Sequence, residues 1–203
     1  MRQETINLYK FDELLKESQE KVLERMADIN VDFNWWDFED AETIGSIMGI
    51  EIDDIYFNGF GSQGDGAYFE GNYEYRKGSV KKLKAYAPVD RELHRIVESL
   101  FKLQKSNRYR LQAIIKHKGH FHNENSTEIE VYQYQDSYGD QFLIRSGHFS
   151  CNYEELRELL RDFMRWIYKQ LEKQYEYLTS KEGIIETIKS NGYEFQANGT
   201  LGY

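Results

Sequence analysis

Cysteine and proline are nearly missing: Cys151 and Pro88 are the only ones among 203 residues. A lone cysteine cannot close an internal disulfide, which suits a reducing cytoplasm. One proline leaves no proline-rich linker, and no low-complexity stretch or internal repeat divides the chain. No run of about 18 apolar residues occurs, so no membrane-spanning helix is expected. The opening Met1-Arg2-Gln3-Glu4-Thr5 lacks the apolar centre of a signal peptide. Positive charge is also scarce, with 26 Lys and Arg against 35 Asp and Glu, a net charge of −9. Phosphate backbones are held by clustered Lys and Arg, so direct nucleic-acid binding is not expected. The acidity fits a soluble protein, a basic protein partner or mimicry of a nucleic-acid surface.

Aromatic residues are abundant, at 15% of the chain with 16 Tyr and 12 Phe. Each buries a large apolar area, so a substantial core is within reach of one domain. The chain reads as a single α+β domain over residues 1–203, with Gly199 to Tyr203 frayed.

The most distinctive stretch places Gly59, Gly61, Gly64 and Gly66 close together between alternating segments. Before them Ile55 and Phe57 alternate with Tyr56 and Asn58. After them Ala67, Phe69, Gly71, Tyr73 and Tyr75 alternate with Tyr68, Glu70, Asn72 and Glu74. This pattern predicts two antiparallel strands joined by an exposed glycine loop, with positive φ at Gly64 and Gly66 and Asp65 bonding back to loop amides. A second hairpin is expected from 108–117 and 127–135, turning at Lys118 to Asn125. Gln141 to Ile144 reads as a further strand or as the approach to the next helix.

Helical spacing appears in five places. Phe11, Leu14, Leu15, Val22, Leu23 and Met26 predict a first helix capped by Asp12. A second is expected from Asn34 to Met48, stopping at Gly49, with Trp35 and Trp36 about 100° apart around its axis. Asp90 is a candidate N-cap for a third, whose buried stripe is Leu93, Ile96, Val97 and Leu100. The longest runs from about 153 to 177, with Leu156, Leu159, Leu160, Phe163, Ile167, Leu171 and Tyr175 on one stripe. A capping sequence at Thr179 to Glu182 opens a last helix that stops at Asn191-Gly192. Short strands are expected near residues 5–10 and at Tyr193 to Phe195. Together these elements predict an antiparallel sheet built from two hairpins and covered by helices, including a long C-terminal one. Lys77, Lys81, Lys82 and Lys84 form a basic patch that reads as a solvated loop, with a phosphate contact as the alternative.

Motifs of known chemistry do not appear. The glycine loop lacks the lysine of a phosphate loop, the following helix of a dinucleotide fingerprint and the spaced acids of a calcium loop. His117, His120 and His122 do not have zinc-ligand spacing, and no metal or cofactor is expected. No nucleophile elbow occurs, Cys151 near His148 is only a proximity, and no catalytic residue is assigned. Asp37, Glu39, Asp40 and Glu42 read as a solvated helix face. If the hairpins carry a site, its residues are Ser62, Gln63, Gly64, Asp65, Gly66, Tyr68, His120 and His122.

Four stretches carry a family resemblance. They are Leu8 to Leu14; Trp35-Trp36-Asp37 with Glu39 to Ala41 and Ile44-Gly45; Phe57 to Ala67; and Arg165 to Ser180 with Asn191 to Phe195. In these the chain resembles a family of small acidic proteins of tailed bacteriophages and prophages, often labelled "antitoxin of toxin-antitoxin stability system". Members of that family often carry Trp where this chain has Gly61. The resemblance implies a mobile-element origin and the cytoplasm of a bacterial host, and it carries no catalytic residues. The expected role is a non-enzymatic accessory protein that binds and neutralises a host or defence protein. The alternatives are a small-molecule or nucleotide binder using the glycine hairpin, or an enzyme of unrecognised type.

Overall fold

A computed structural model describes residues 6–32, 34–137, 140–145 and 151–202. In chain order the elements are β1 (Tyr9–Lys10), α1 (Lys16–Arg25), α2 (Glu39–Met48), β2 (Ile50–Asn58), β3 (Gly66–Glu74), α3 (Ser79–Tyr86) and α4 (Arg91–Ser106). They continue with β4 (Leu111–His117), β5 (Thr127–Ser137), β6 (Asp140–Arg145), α5 (Cys151–Leu178), α6 (Lys181–Ser190) and β7 (Glu194–Phe195). The fold is α+β. No described helix is long and apolar enough to cross a membrane. The chain divides into two compact units: Asp37–Gln170, and Met1–Trp36 with Leu171–Tyr203.

The larger unit is built on a five-stranded antiparallel sheet in the order β2-β3-β4-β5-β6. Both predicted hairpins are present, β2 with β3 and β4 with β5, and β6 extends the second. The segment near Gln141 is therefore a strand. Ile50, Phe69, Tyr73, Leu111, Ala113, Ile115, Ile129 and Val131 are buried, as are Leu93, Ile96, Val97 and Leu100 of α4. On α5 the expected stripe Leu156, Leu159, Leu160, Phe163 and Ile167 is buried, joined by Met164 and Trp166. Phe163 meets Phe69 of the sheet edge-on at 5.8 Å, and Arg157 Nε donates to the Ile129 carbonyl of β5 at 2.9 Å. Asp90 caps α4 as expected, one oxygen accepting from Leu93 N at 2.9 Å. Its other oxygen accepts from Trp166 Nε1 at 2.8 Å, tying the start of α4 to α5.

The second helix starts at Glu39, not Asn34. Asn34 sits at φ 45, outside the right-handed helical region. Asp37 Oδ1 then accepts from Glu39 N at 2.9 Å, ending the irregular lead-in. Lys81, Lys82 and Lys84 lie on α3 rather than in a loop. That helix has eight residues, and only Leu83 among its apolar side chains is fully buried, too little periodicity to read.

The smaller unit packs Phe11, Leu14, Val22, Ile184, Ile188 and Phe195 together. The predicted Asp12 cap is absent: Phe11 to Glu13 form a 3-10 turn, and α1 begins after the extended Leu14 and Leu15. Gly199 to Gly202 are not frayed as expected, and Tyr203 lies outside the described residues. Gly202 N donates to Glu194 O at 2.8 Å, Leu201 bridges Phe195, and Arg25 Nη1 donates to Gly199 O at 3.1 Å. The tail's pairing had no signal in the sequence because it rests on an isolated bridge rather than on a run of alternating residues. Ser180 caps α6, its hydroxyl accepting from Gly183 N at 3.1 Å. Trp35 packs against Tyr175 with centroids 5.5 Å apart, while Trp36 is 39% exposed.

Candidate functional site

The glycine loop joins β2 to β3, and its alternation explains the pairing: Tyr56 faces Tyr68, and Asn58 faces Gly66. Ser62 and Gln63 are exposed, as expected of a hairpin connection. Asp65 Oδ2 accepts from Ser62 N at 2.6 Å, and Asp65 N donates to Ser62 O at 3.2 Å. The loop amide that would greet an anion therefore already holds the loop's own carboxylate. Gly59, Gly61 and Gly64 have positive φ, but Gly66, expected to share it, does not. Gly66 is required for closeness instead: a Cβ there would lie 2.5 Å from Asn123 Cβ.

The β4–β5 connection supplies that neighbour. Asn123 Nδ2 donates to Gly64 O at 3.0 Å, and the Phe121 ring lies over Gly64, where a Cβ would meet it at 3.1 Å. Asn123 Oδ1 accepts from Asn125 N at 3.0 Å, which turns the connection back on itself. Glu124 accepts from Arg165 Nε of α5 at 3.1 Å. The glycine loop is braced on its other side by Phe60, stacked on Tyr168 of α5 at 5.4 Å, whose hydroxyl donates to Gly59 O at 3.2 Å. Two loops far apart in sequence thus form one tip fastened to α5.

Beneath the tip lies a stack of rings. Tyr68 lies parallel to Tyr56 at 5.1 Å, to His117 at 4.6 Å and to His122 at 5.7 Å. His117 and His122 are themselves stacked at 5.8 Å. The rings bury Tyr68 to 3% exposure, although alternation put it opposite the core residues Ala67 and Phe69. His117 Nε2 donates to Phe121 O at 3.1 Å, which places its ring proton, and its backbone N donates to Glu70 Oε1 at 2.7 Å. His122 Nδ1 is shielded from water and has no hydrogen-bond partner among the described residues. His120 is exposed.

The predicted residues thus separate into roles. Gln63 and His120 face solvent, Gly64 and Gly66 allow the two loops to meet, Asp65 holds the turn, and Tyr68 and His122 form the stack. Sequence reasoning missed Tyr56, His117, Phe121 and Asn123 as members. His117 and Phe121 were visible as neighbours of His120 and His122. The contact between Asn123 and Gly64 had no local signal. Of the pair His148 and Cys151, the first lies outside the described residues, and of the second only the backbone is described.

Two phenols of the stack are shifted by their surroundings. The Asp54 carboxylate chiefly, then desolvation and Glu70, raise the Tyr56 phenol above its ordinary pKa. Burial first, then Glu70, does the same to Tyr68. Among the described residues no three His, Cys, Asp or Glu side chains gather to hold a metal.

A family described as a domain of unknown function, DUF8835, matches residues 35–181. The chain belongs to that family. The matched DUF8835 region takes in the whole sheet, both loops of the tip, α3, α4 and α5. No curated protein and no solved structure matches the chain.

Proposed function

We propose that this DUF8835 protein is a non-catalytic protein-binding module that engages its partner through the paired hairpin tip. The observation carrying this reading is Phe121. It is a large apolar ring, 58% exposed, yet fixed in place over Gly64 and by its carbonyl's bond to His117. Rigid exposed aromatics lose little entropy on docking and are the usual anchors of protein interfaces. Tyr56 adds a second ring at 38% exposure, and the exposed Asp54 beside it makes the rim acidic. The partner surface that fits is therefore basic with an apolar recess. A nucleotide at the glycine loop is disfavoured because Asp65 already occupies the amide that a phosphate would use. The role that the phage resemblance implies is neutralisation of a host or defence protein in the bacterial cytoplasm, as an antitoxin-like or counter-defence factor.

The test is affinity capture from phage-infected cells, quantified by mass spectrometry, comparing wild type with Phe121→Ala and His120→Ala. The same protein should be lost with Phe121→Ala while the variant's melting temperature stays close to wild type. An unchanged set of captured proteins with a folded Phe121→Ala variant removes the tip from the interface.

A further inference from the structure

Between the two hairpins in sequence, consecutive helices α3 and α4 border an open groove of about 640 Å³. Val80 and Phe101 supply its apolar wall, and Lys81, Lys84, Lys102 and Lys105 stand around it with one carboxylate, Glu98. Glu98 is taken by Lys84 in an ion pair. That pairing, with Lys102 adding its charge, holds the Glu98 carboxyl below its ordinary pKa. Lys81, Lys102 and Lys105 are exposed and form no ion pair among the described residues. The wall is held from behind: the Phe101 ring lies 6.3 Å from Tyr109, which packs on Tyr75 at 4.5 Å.

This local surplus of positive charge contrasts with a net charge of −9 for the whole chain. Three uncompensated ammonium groups around an apolar recess are complementary to a ligand with an apolar body and a negative head. Lysine stems line such a recess with methylenes while the charged ends stay in water. The volume lies within the range of roughly 300–1,000 Å³ typical of small-ligand pockets. α3 is eight residues, about 12 Å long at 1.5 Å per residue, which suits a small molecule better than a docked helix.

We propose that the α3–α4 groove binds a small anionic amphiphile, its apolar part against Val80 and Phe101 and its carboxylate or phosphate head among Lys81, Lys102 and Lys105. The site shares no residue with the tip and does not depend on the partner reading above.

The experiment is calorimetric titration of the full chain with decanoate, decyl phosphate and 1-decanol, each below its aggregation threshold. Both anions should bind and decanol should not, and affinity should fall as salt rises. The comparison of decanoate with decyl phosphate identifies the preferred head. Lys102→Glu combined with Lys105→Glu should weaken anion binding about tenfold or more through reversed charge. Val80→Glu, a change compatible with the first turn of a helix, should abolish it by placing a carboxylate in the recess. Thermal melts verify that both variants fold. Equal binding of decanol, indifference to the lysine reversals, or no binding of either anion up to about 1 mM overturns the proposal. Capture of an acidic phenylalanine-containing peptide with neither amphiphile bound also overturns it, in favour of a protein ligand.

Discussion

Along α5, Leu156, Leu160, Phe163 and Ile167 reach the core by repetition along one helix, and each is at most 2% exposed. At the tip, Tyr56, Tyr68, His117, Phe121 and His122 come from three strands and a loop, and exposure ranges from 3% for Tyr68 to 58% for Phe121. The α5 stripe is mainly aliphatic, whereas the tip is built of rings. The α5 stripe commits its apolar area entirely to stability, whereas the tip keeps part of its area in water and fixes it with hydrogen bonds. A lesion in the first should therefore unfold the chain, and a lesion in the second should chiefly cost binding.

The sharpest way to break this contrast is Phe163→Ala. The ring is 0% exposed, and its removal should destabilise by about 3–5 kcal/mol in chemical denaturation. A loss below about 1 kcal/mol would mean that the stripe is not the core's support.

Alkaline titration compares two phenols, one from the core and one from the tip. Tyr73 is pushed up to about 12 by burial, while Tyr56 is raised mainly by the charge of Asp54. The folded state keeps the Tyr73 phenol neutral. Its stabilisation is complete below the unfolded pKa near 10 and is lost as pH rises through 12. A rise from 10 to about 12 corresponds to about 3 kcal/mol across that window. Tyr73→Phe should flatten the fall in stability between pH 10 and 12, measured by urea midpoints. It should also lose the modest contribution of the bond that Gln104 Nε2 donates at 3.3 Å. An unaltered slope in that variant would place the alkaline sensitivity elsewhere.

Gly66→Val tests whether the two loops form one tip. The new side chain would collide with Asn123, since a Cβ alone comes within 2.5 Å of that residue's Cβ. The expected cost is about 1–3 kcal/mol. Hydrogen exchange should quicken selectively at Ser126 and Asn125, whose amides are bonded within the second loop. Uniform loss of protection across α5 would show that tip and core are a single cooperative unit, against that contrast.

The smallest effect is expected from Gln63→Ala. Its side chain is exposed on the loop, so stability should change by no more than about 0.5 kcal/mol. Partner capture should weaken with the melt unchanged. Full capture by the normally folded variant removes Gln63 from the contact surface.

The α5 stripe was legible because a helix returns every third or fourth residue to the same side, and the buried residues of 156–167 follow that rule. The two hairpins were legible for the same kind of reason, through strict alternation and turn-forming glycines. Asp90 was legible as a cap, since capping is a local bond between a carboxylate and the first turn. Its second bond, to Trp166, joins residues 76 apart, and no spacing rule encodes it.

By itself, then, the sequence determined the elements whose signals are short-range: the α+β class, the hairpins and the long helix. Tertiary structure decided what could not be periodic. It buried Tyr68 between rings from other strands, placed Asn123 against Gly66, and brought Lys81 and Lys84 of α3 beside Lys102 and Lys105 of α4 around one groove. The physical reason is that hydrogen-bond geometry and residue period act over a few neighbours. Packing of side chains distant in sequence depends on the sheet register and helix placement of the whole unit.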